Sequence, residues 1–441
     1  MSAATWGALA IAACALWLGG CAELRPGAPR PAIAPDEDAE YARLFPYYAE
    51  SCAVSQLKKK EGFGAELFGG IGGHQVFYLN GVCRARDEKH PRLVPCDELP
   101  APHADGVGFS VNEHYRNATW AAVEGRDFFF AGGLPPDGGL TREAYARVQR
   151  AARAQGIYAA IDFHERYFTD MQPGFTRDEF RYELSIATDY AIALGRNRYC
   201  ARVPLRRGEM RKVVDFLNAL NAPYAAGDKE FAWNVLTHNC AHVNHNALAA
   251  VDLWPAWPMD RPLVISALDF PVPKNEFVNL LRRTNDLPIE DLEAMYADST
   301  ARAMLLREGR LPTGPGAIAD LGGILRPNEV YDDESRSIFY DLTPTRSFQR
   351  RFDEILSEPR YLRLRDNLAY FAARYRHILA ARQPLAQYLA RRQGASTSEL
   401  DEFREFYRRY YEYIEKEVSE VASMMAVLQY TEPDAAAAGT P

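Results

Sequence analysis

Apolar residues recur along this chain at two periods, and the longer period dominates its second half. In 207–220, Met210, Val213, Val214, Leu217 and Leu220 repeat at three-four spacing, which predicts an amphipathic helix. The longest such stripe runs Leu400, Phe403, Tyr407, Tyr410, Ile414, Val418, Val421, Met425, Leu428, behind a Ser396-x-x-Glu399 capping box. It predicts one long helix packed as a hairpin on 347–392, which is itself helical and broken at Pro359 and Pro384. A helix is also expected over 140–156 with Thr141 as cap, and others over 270–281 and 289–306. Tyr41, Leu44, Tyr47, Tyr48 and Val54 suggest one or two helices over 37–60. Strand chemistry marks 74–79, closing at the Asn80-Gly81 turn, then 107–111, 120–123, 158–164 and 199–205. The stretch 182–192 fits a strand or a short helix, and 317–340 reads as irregular.

The chemistry concentrates at 231–251. Val243, Ala247, Leu248 and Val251 repeat at helical spacing, and Thr237 and Asn239 are good caps, so a helix should begin within a residue of Cys240. A thiol there sits at the positive end of the helix dipole, which favours thiolate. The alternative is a buried structural cysteine. Upstream, Phe68-Gly69-Gly70-Ile71-Gly72-Gly73 leads into His74 at the mouth of a strand, where glycines leave room for a ligand.

Composition changes this picture little. The chain has 441 residues, 47% hydrophobic and 25% charged, ordinary for a globular protein of two or three domains. A net charge of −8 gives no reason to expect a nucleic-acid partner. The first residues change it more. Residues 1–20 carry no Lys, Arg, Asp or Glu, and Ala8–Leu18 is an apolar run too short for a stable membrane span. It ends in Leu18-Gly19-Gly20-Cys21, which resembles the bacterial lipobox. That resemblance implies a lipidated Cys21 as first mature residue, a Pro/Ala-rich tether over 21–40, and an outer-membrane anchor facing the periplasm, with Ala22 in the sorting position. The n-region departs from the pattern in having no basic side chain. Disulfides are allowed in such a compartment: Cys83 and Cys96 flank a polar segment and suit a loop clip, and pairing Cys52 with Cys200 would leave Cys240 free.

The order of Gly73-His74 on a strand, further strands, the 207–220 helix and then Asn239-Cys240 resembles the circularly permuted papain-like superfamily. That superfamily includes the lecithin:retinol acyltransferase-like and NlpC-type enzymes. The likeness is nearest to the Lnb-type periplasmic domain family, with Ala122-Val123-Glu124-Gly125-Arg126-Asp127-Phe128 as a looser match. It covers roughly 67–250. It implies an α+β fold with an antiparallel sheet and packed helices, catalytic over 41–260. A mixed extension (261–345), a helical hairpin (346–430) and a disordered tail (431–441) would follow. It also implies a thiol hydrolase or acyltransferase working through acyl-Cys240, with His74 as base, on a lipid, lipoprotein or peptidoglycan-peptide substrate. No cofactor is implied. Asn112 and Glu113 are candidates for the group that orients His74, and Asn239 and Gly73 for the oxyanion or substrate site.

Two rival chemistries share the sequence. His238, His242 and His245 fall at i, i+4 and i+7, a spacing that suits zinc, although no His-Glu-x-x-His is present. Asp162-x-His164-Glu165 is a second possible ligand set. A non-catalytic outer-membrane scaffold lipoprotein is the third reading.

Overall fold

The computed structural model describes residues 35–430, apart from 62, 64–72, 86–89, 101–104, 136–137, 170, 269 and 333–347. Residues 1–34, with the expected signal segment, Cys21 and most of the expected tether, and residues 431–441, expected as a tail, lie outside the described residues. The protein is α+β: an antiparallel sheet with packed helices, joined to a helical region.

In chain order the first elements are α1 (Pro35–Leu44), β1 (Tyr48–Val54), β2 (His74–Asn80), β3 (Val82–Arg84), β4 (Leu93–Pro95), β5 (Gly106–Ser110) and β6 (Ala121–Glu124). Then come α2 (Arg126–Ala131), α3 (Arg142–Gln155), α4 (Arg177–Ser185), β7 (Arg198–Pro204), α5 (Arg207–Ala225) and α6 (Cys240–Ala249). After α6 follow α7 (Leu263–Leu268), α8 (Pro273–Asn285), α9 (Leu292–Ala297), α10 (Ser299–Glu308) and β8 (Ile318–Gly322). The chain continues as α11 (Phe348–Ser357), α12 (Pro359–Leu362), α13 (Leu364–Ala380), α14 (Leu385–Ala390) and α15 (Thr397–Tyr430).

The main sheet has the order β6-β5-β2-β1-β7-β8, all pairs antiparallel. β1 lies inside it, paired from Tyr48–Asn80 to Val54–His74 on one side and from Tyr48–Pro204 to Val54–Arg198 on the other. All seven β1 residues are buried. Both faces are covered, so the strand shows no alternation of polar and apolar residues, and its Tyr48 and Val54 read as part of a helical stripe with the residues before it. Of the one or two helices expected over 37–60 only α1 is present; Tyr48–Val54 is strand and the residues after it are irregular. Three other expectations are corrected. Residues 158–164 form turns with a single bridge, Tyr115 to Phe163, and residues 182–192 hold the end of α4 and a tight loop. In 317–340, Ile318–Gly322 is an edge strand.

The expected caps are present. Thr141 Oγ1 accepts from the Ala144 N–H, and Gly156 closes α3 in the left-handed region. Ser396 and Glu399 exchange side-chain and backbone bonds before α15. α13 packs along α15 as the expected hairpin around Phe371, Tyr375, Phe403, Tyr410 and Ile414. The segment expected as an extension also serves the sheet: α8 packs on β1 and β7, and β8 pairs with β7. Disulfides join Cys52 to Cys200, facing each other across β1 and β7, and Cys83 to Cys96, across the β3–β4 ribbon. Among the described residues Cys240 is the free cysteine.

A charged cluster is buried where β1, β7 and β8 meet. Arg202 reaches Glu50 at 2.7 Å, Asp38 at 2.9 Å and Asp320 at 3.3 Å. Arg126 bonds the same three carboxylates, and Arg198 lies 3.5 Å from Asp320. The arginines hold Asp320 well below the usual carboxylate range against the opposing effect of burial.

Candidate active site

α6 begins at Cys240 because Asn239 is a good cap with its backbone extended. Asn239 Oδ1 accepts from the His242 N–H at 2.9 Å, and His242 Nδ1 faces the Asn239 N–H at 3.4 Å. Asn239 Nδ2 donates to the Val235 carbonyl at 2.7 Å and faces that of Pro271 at 3.4 Å. The Asn239 side chain is thus occupied as a cap, and its described bonds are to the chain itself rather than to an open oxyanion position.

α6 packs on β2, the strand that His74 opens. Gln75, the residue after His74, directs its N–H at Cys240 Sγ, as do Ala241 and Cys240 itself. The helix start alone predicts an acidified thiol. Instead burial dominates and pushes Cys240 up to about 11, against those donors and the nearby Arg196 guanidinium. Burial likewise pushes His74 down to about 3, helped by Arg196, while the Thr188 carbonyl favours its protonated form. The thiol and the imidazole are both neutral here. Among the described residues no hydrogen bond links them, and His74 Nε2 lies 2.7 Å from Ser110 Oγ.

The candidates from sequence fall in different places. Gly73 sits at φ +79°, and a Cβ there would lie 2.4 Å from the Val54 carbonyl oxygen, so the glycine is required by the β1–β2 approach. Asn112 Nδ2 donates to both oxygens of Asp189, at 3.0 and 3.2 Å, and its Oδ1 accepts from the His114 N–H at 3.2 Å, so its described bonds are not to the His74 imidazole. Glu113 is exposed and interacts with Tyr167. The groups around the pair that sequence reasoning missed are Ser110, Asp189 and Arg196. Arg196 is 2% exposed and bonds the carbonyls of Ala187 (2.7 Å) and Ser55 (2.5 Å) and the Thr188 hydroxyl (3.1 Å). Its one sequence signal is weak: a basic residue between Gly195 and Asn197, next to an apolar stretch.

The three histidines of the zinc reading are not assembled as ligands. His245 has both nitrogens engaged, Nδ1 with Glu276 at 2.6 Å and Nε2 with the Pro255 carbonyl at 2.9 Å, and stacks on Trp254 at 4.1 Å. His242 Nδ1 serves the cap, and His238 Nδ1 lies 2.9 Å from Thr237 Oγ1. Asp162 pairs with Arg116 and Glu165 with Arg177, while His164 bonds the Phe231 carbonyl, so this second set also diverges. Among the described residues only Glu50, Cys52 and Cys200 bring metal-binding atoms together, and the two cysteines are the disulfide. Two clefts, of about 520 Å³ beside Tyr41 and Arg363 and about 420 Å³ beside Tyr296 and Arg392, are lined by other residues than Cys240 and His74.

Compared with protein-family models, curated proteins and solved structures, the chain finds no match.

Proposed function

We propose that this is a thiol-dependent hydrolase or acyltransferase of the bacterial envelope, tethered by a lipid on Cys21, with Cys240 as nucleophile and His74 as base. The observation that carries it is the convergence of three backbone N–H groups on the sulfur of an unpaired cysteine at a helix start, one of them from Gln75, the residue after His74. In the reaction, Sγ attacks a carbonyl carbon while its proton passes to the imidazole. The imidazolium then protonates the departing alkoxide or amine, leaving an acyl-thioester. Water or an acceptor amine attacks that thioester and frees the thiol. The N–H cluster at the start of α6 is suited to the oxyanion.

In the resting protein, a thiol at about 11 and an imidazole at about 3 keep the proton on sulfur. One cause displaces both groups in opposite directions, so a substrate that brings polar atoms into the site moves them toward each other. Among the substrates considered, an acyl chain is favoured over a muropeptide. Val235, whose carbonyl accepts from Asn239, is exposed, as are Leu263, Val264 and Ile265 on α7. Incubation with phospholipid, lipoprotein and muropeptides in separate reactions, followed by peptide mass spectrometry, tests this reading. The expected product is a hydroxylamine-sensitive acyl adduct on Cys240 from the lipid substrates. No adduct from any of them would sink the reading.

A scaffold role is favoured by a different observation, the burial of Cys240 and the engagement of His74 Nε2 by Ser110. It predicts slow alkylation of Cys240 with no dependence on His74.

A further inference from the structure

We propose that α7 is a membrane-docking element: Leu263, Val264 and Ile265 insert into the surface of a zwitterionic bilayer and bring the Cys240 end of α6 up to it. The proposal deepens the envelope reading and rests on it for which bilayer is met. The insertion itself needs neither a lipid on Cys21 nor an acyl group on Cys240.

Among the described residues the exposed large apolar side chains are Val235 (46%), Leu263 (58%), Val264 (77%) and Ile265 (50%). The last three are consecutive on α7, so at about 100° per residue they span about 200° around its axis. Ser266, the next residue, is 3% exposed. The polarity of α7 is therefore inverted: a serine faces the protein and aliphatic side chains face out. A groove in a partner protein covers one stripe of a helix, on the order of 100° wide. Side chains spread over twice that angle are covered together only by a medium that closes around the helix, as lipid does around an interfacial helix.

The helix is presented by a fixed base. Before it, the Trp254 Nε1–H donates to the His245 carbonyl at 2.8 Å, and Arg283 Nε donates to the Leu253 carbonyl at 2.9 Å. The Trp257 N–H donates to Asn246 Oδ1 at 2.7 Å, and Asn246 Nδ2 donates to the Trp257 carbonyl at 3.0 Å. After it, the chain enters α8, which packs on β1 and β7. The protrusion also stands next to the start of α6. Asn239 Nδ2, which donates to the Val235 carbonyl at 2.7 Å, faces that of Pro271, three residues after α7, at 3.4 Å.

Charge selects the kind of bilayer. Residues 251–271 hold three acidic side chains, Asp252, Asp260 and Asp269, and one basic, Arg261. This is not the polybasic segment that anionic headgroups attract, so apolar burial carries the contact, and a surface without net charge fits it. In the lipid-anchor reading Cys21 lies fourteen residues before Pro35. Fourteen extended residues span at most about 50 Å, which keeps α7 within reach of the membrane.

The test floats the mature chain, residues 21–441 with Cys21→Ser, with phosphatidylcholine vesicles at about 0.1 M and about 1 M NaCl. The chain is expected to float equally at both salt concentrations. Val264→Asp should weaken partitioning at least about tenfold, and Val264→Leu should keep it. Val264 is mostly exposed, so both variants should unfold at the parent's urea midpoint. If Val264→Asp does not fold, Ile265→Ser decides in its place. A parent chain that stays below the vesicles overturns the proposal, as does Val264→Asp floating like its parent or binding abolished by the higher salt. A solution dimer that Val264→Asp dissociates also overturns it, because a second copy then covers α7. A chain that floats but forms no adduct on Cys240 removes the catalytic reading alone. One that forms the adduct but does not float removes this proposal alone.

Discussion

Two polar clusters are buried along one sheet. Where β1, β7 and β8 meet, Arg126, Arg198 and Arg202 face Asp38, Glu50 and Asp320, each cation within reach of at least one anion. Where β2 and β5 meet, Arg196 bonds only neutral acceptors and Asp189 only neutral donors among the described residues. Arg196 acts on a thiol and an imidazole, Cys240 and His74, that burial keeps uncharged. Opposite charges in contact fix how strands and helices assemble, because separating them would strand a charge away from water. Charges held apart by neutral dipoles leave an uncompensated field at a defined place. That arrangement suits a group whose charge changes during a reaction.

The largest expected effect separates the clusters by function. Cys240→Ser should abolish adduct formation yet cost less than about 1.5 kcal/mol in urea unfolding, since the hydroxyl is of similar size and the N–H donors remain. An unfolded Cys240→Ser would assign the thiol to the core and erase the contrast. Glu50→Ala should do the opposite. It leaves Arg202, fully buried, without its nearest carboxylate, and a loss of about 3–5 kcal/mol is expected. A loss below about 1 kcal/mol would show that the remaining carboxylates suffice.

The pH dependence of stability sharpens the comparison next. His74, His114 and His242 are each pushed down to about 3 by burial. Their folded values are depressed, so the neutral rings contribute stability that is present above the unfolded histidine value of about 6.5. That contribution is lost as the pH falls from there toward 3, because the unfolded chain takes up protons that the folded chain refuses. Cys240 has the opposite sense: its folded value is raised, so its share is complete below the unfolded thiol value of about 8.5 and lost as the pH rises toward 11. A preformed thiolate–imidazolium pair would reverse both signs. Stability measured against pH for the parent chain and for His74→Ala distinguishes them; a slope unchanged by His74→Ala between pH 3 and 6 counts against a neutral buried ring.

The smallest expected effect concerns the cap. Asn239→Ala should cost about 1 kcal/mol of stability and reduce adduct formation only modestly. A loss as complete as that of Cys240→Ser would restore Asn239 to the oxyanion site.

Elements whose signal is local were legible in the sequence. His74 opens a strand, Asn239 caps a helix starting at Cys240, Thr141 caps α3, and the stripe from Leu400 to Leu428 forms one helix. Each depends on contacts within a few residues, which periodicity and capping chemistry report. The interior strand β1 was not legible, because burial on both faces removes the alternation that marks a strand. The surroundings of the site were not legible either. Ser110, Thr188 and Arg196 come from three separate segments and meet His74 only after β5, the 186–191 loop and β7 have docked. The sequence by itself determined which thiol stands at a helix start and which histidine heads a strand. Only the tertiary structure decided their charge. A helix dipole acts within one turn and can be read from a cap, whereas desolvation is the sum over everything packed around the group, and here it outweighs the dipole.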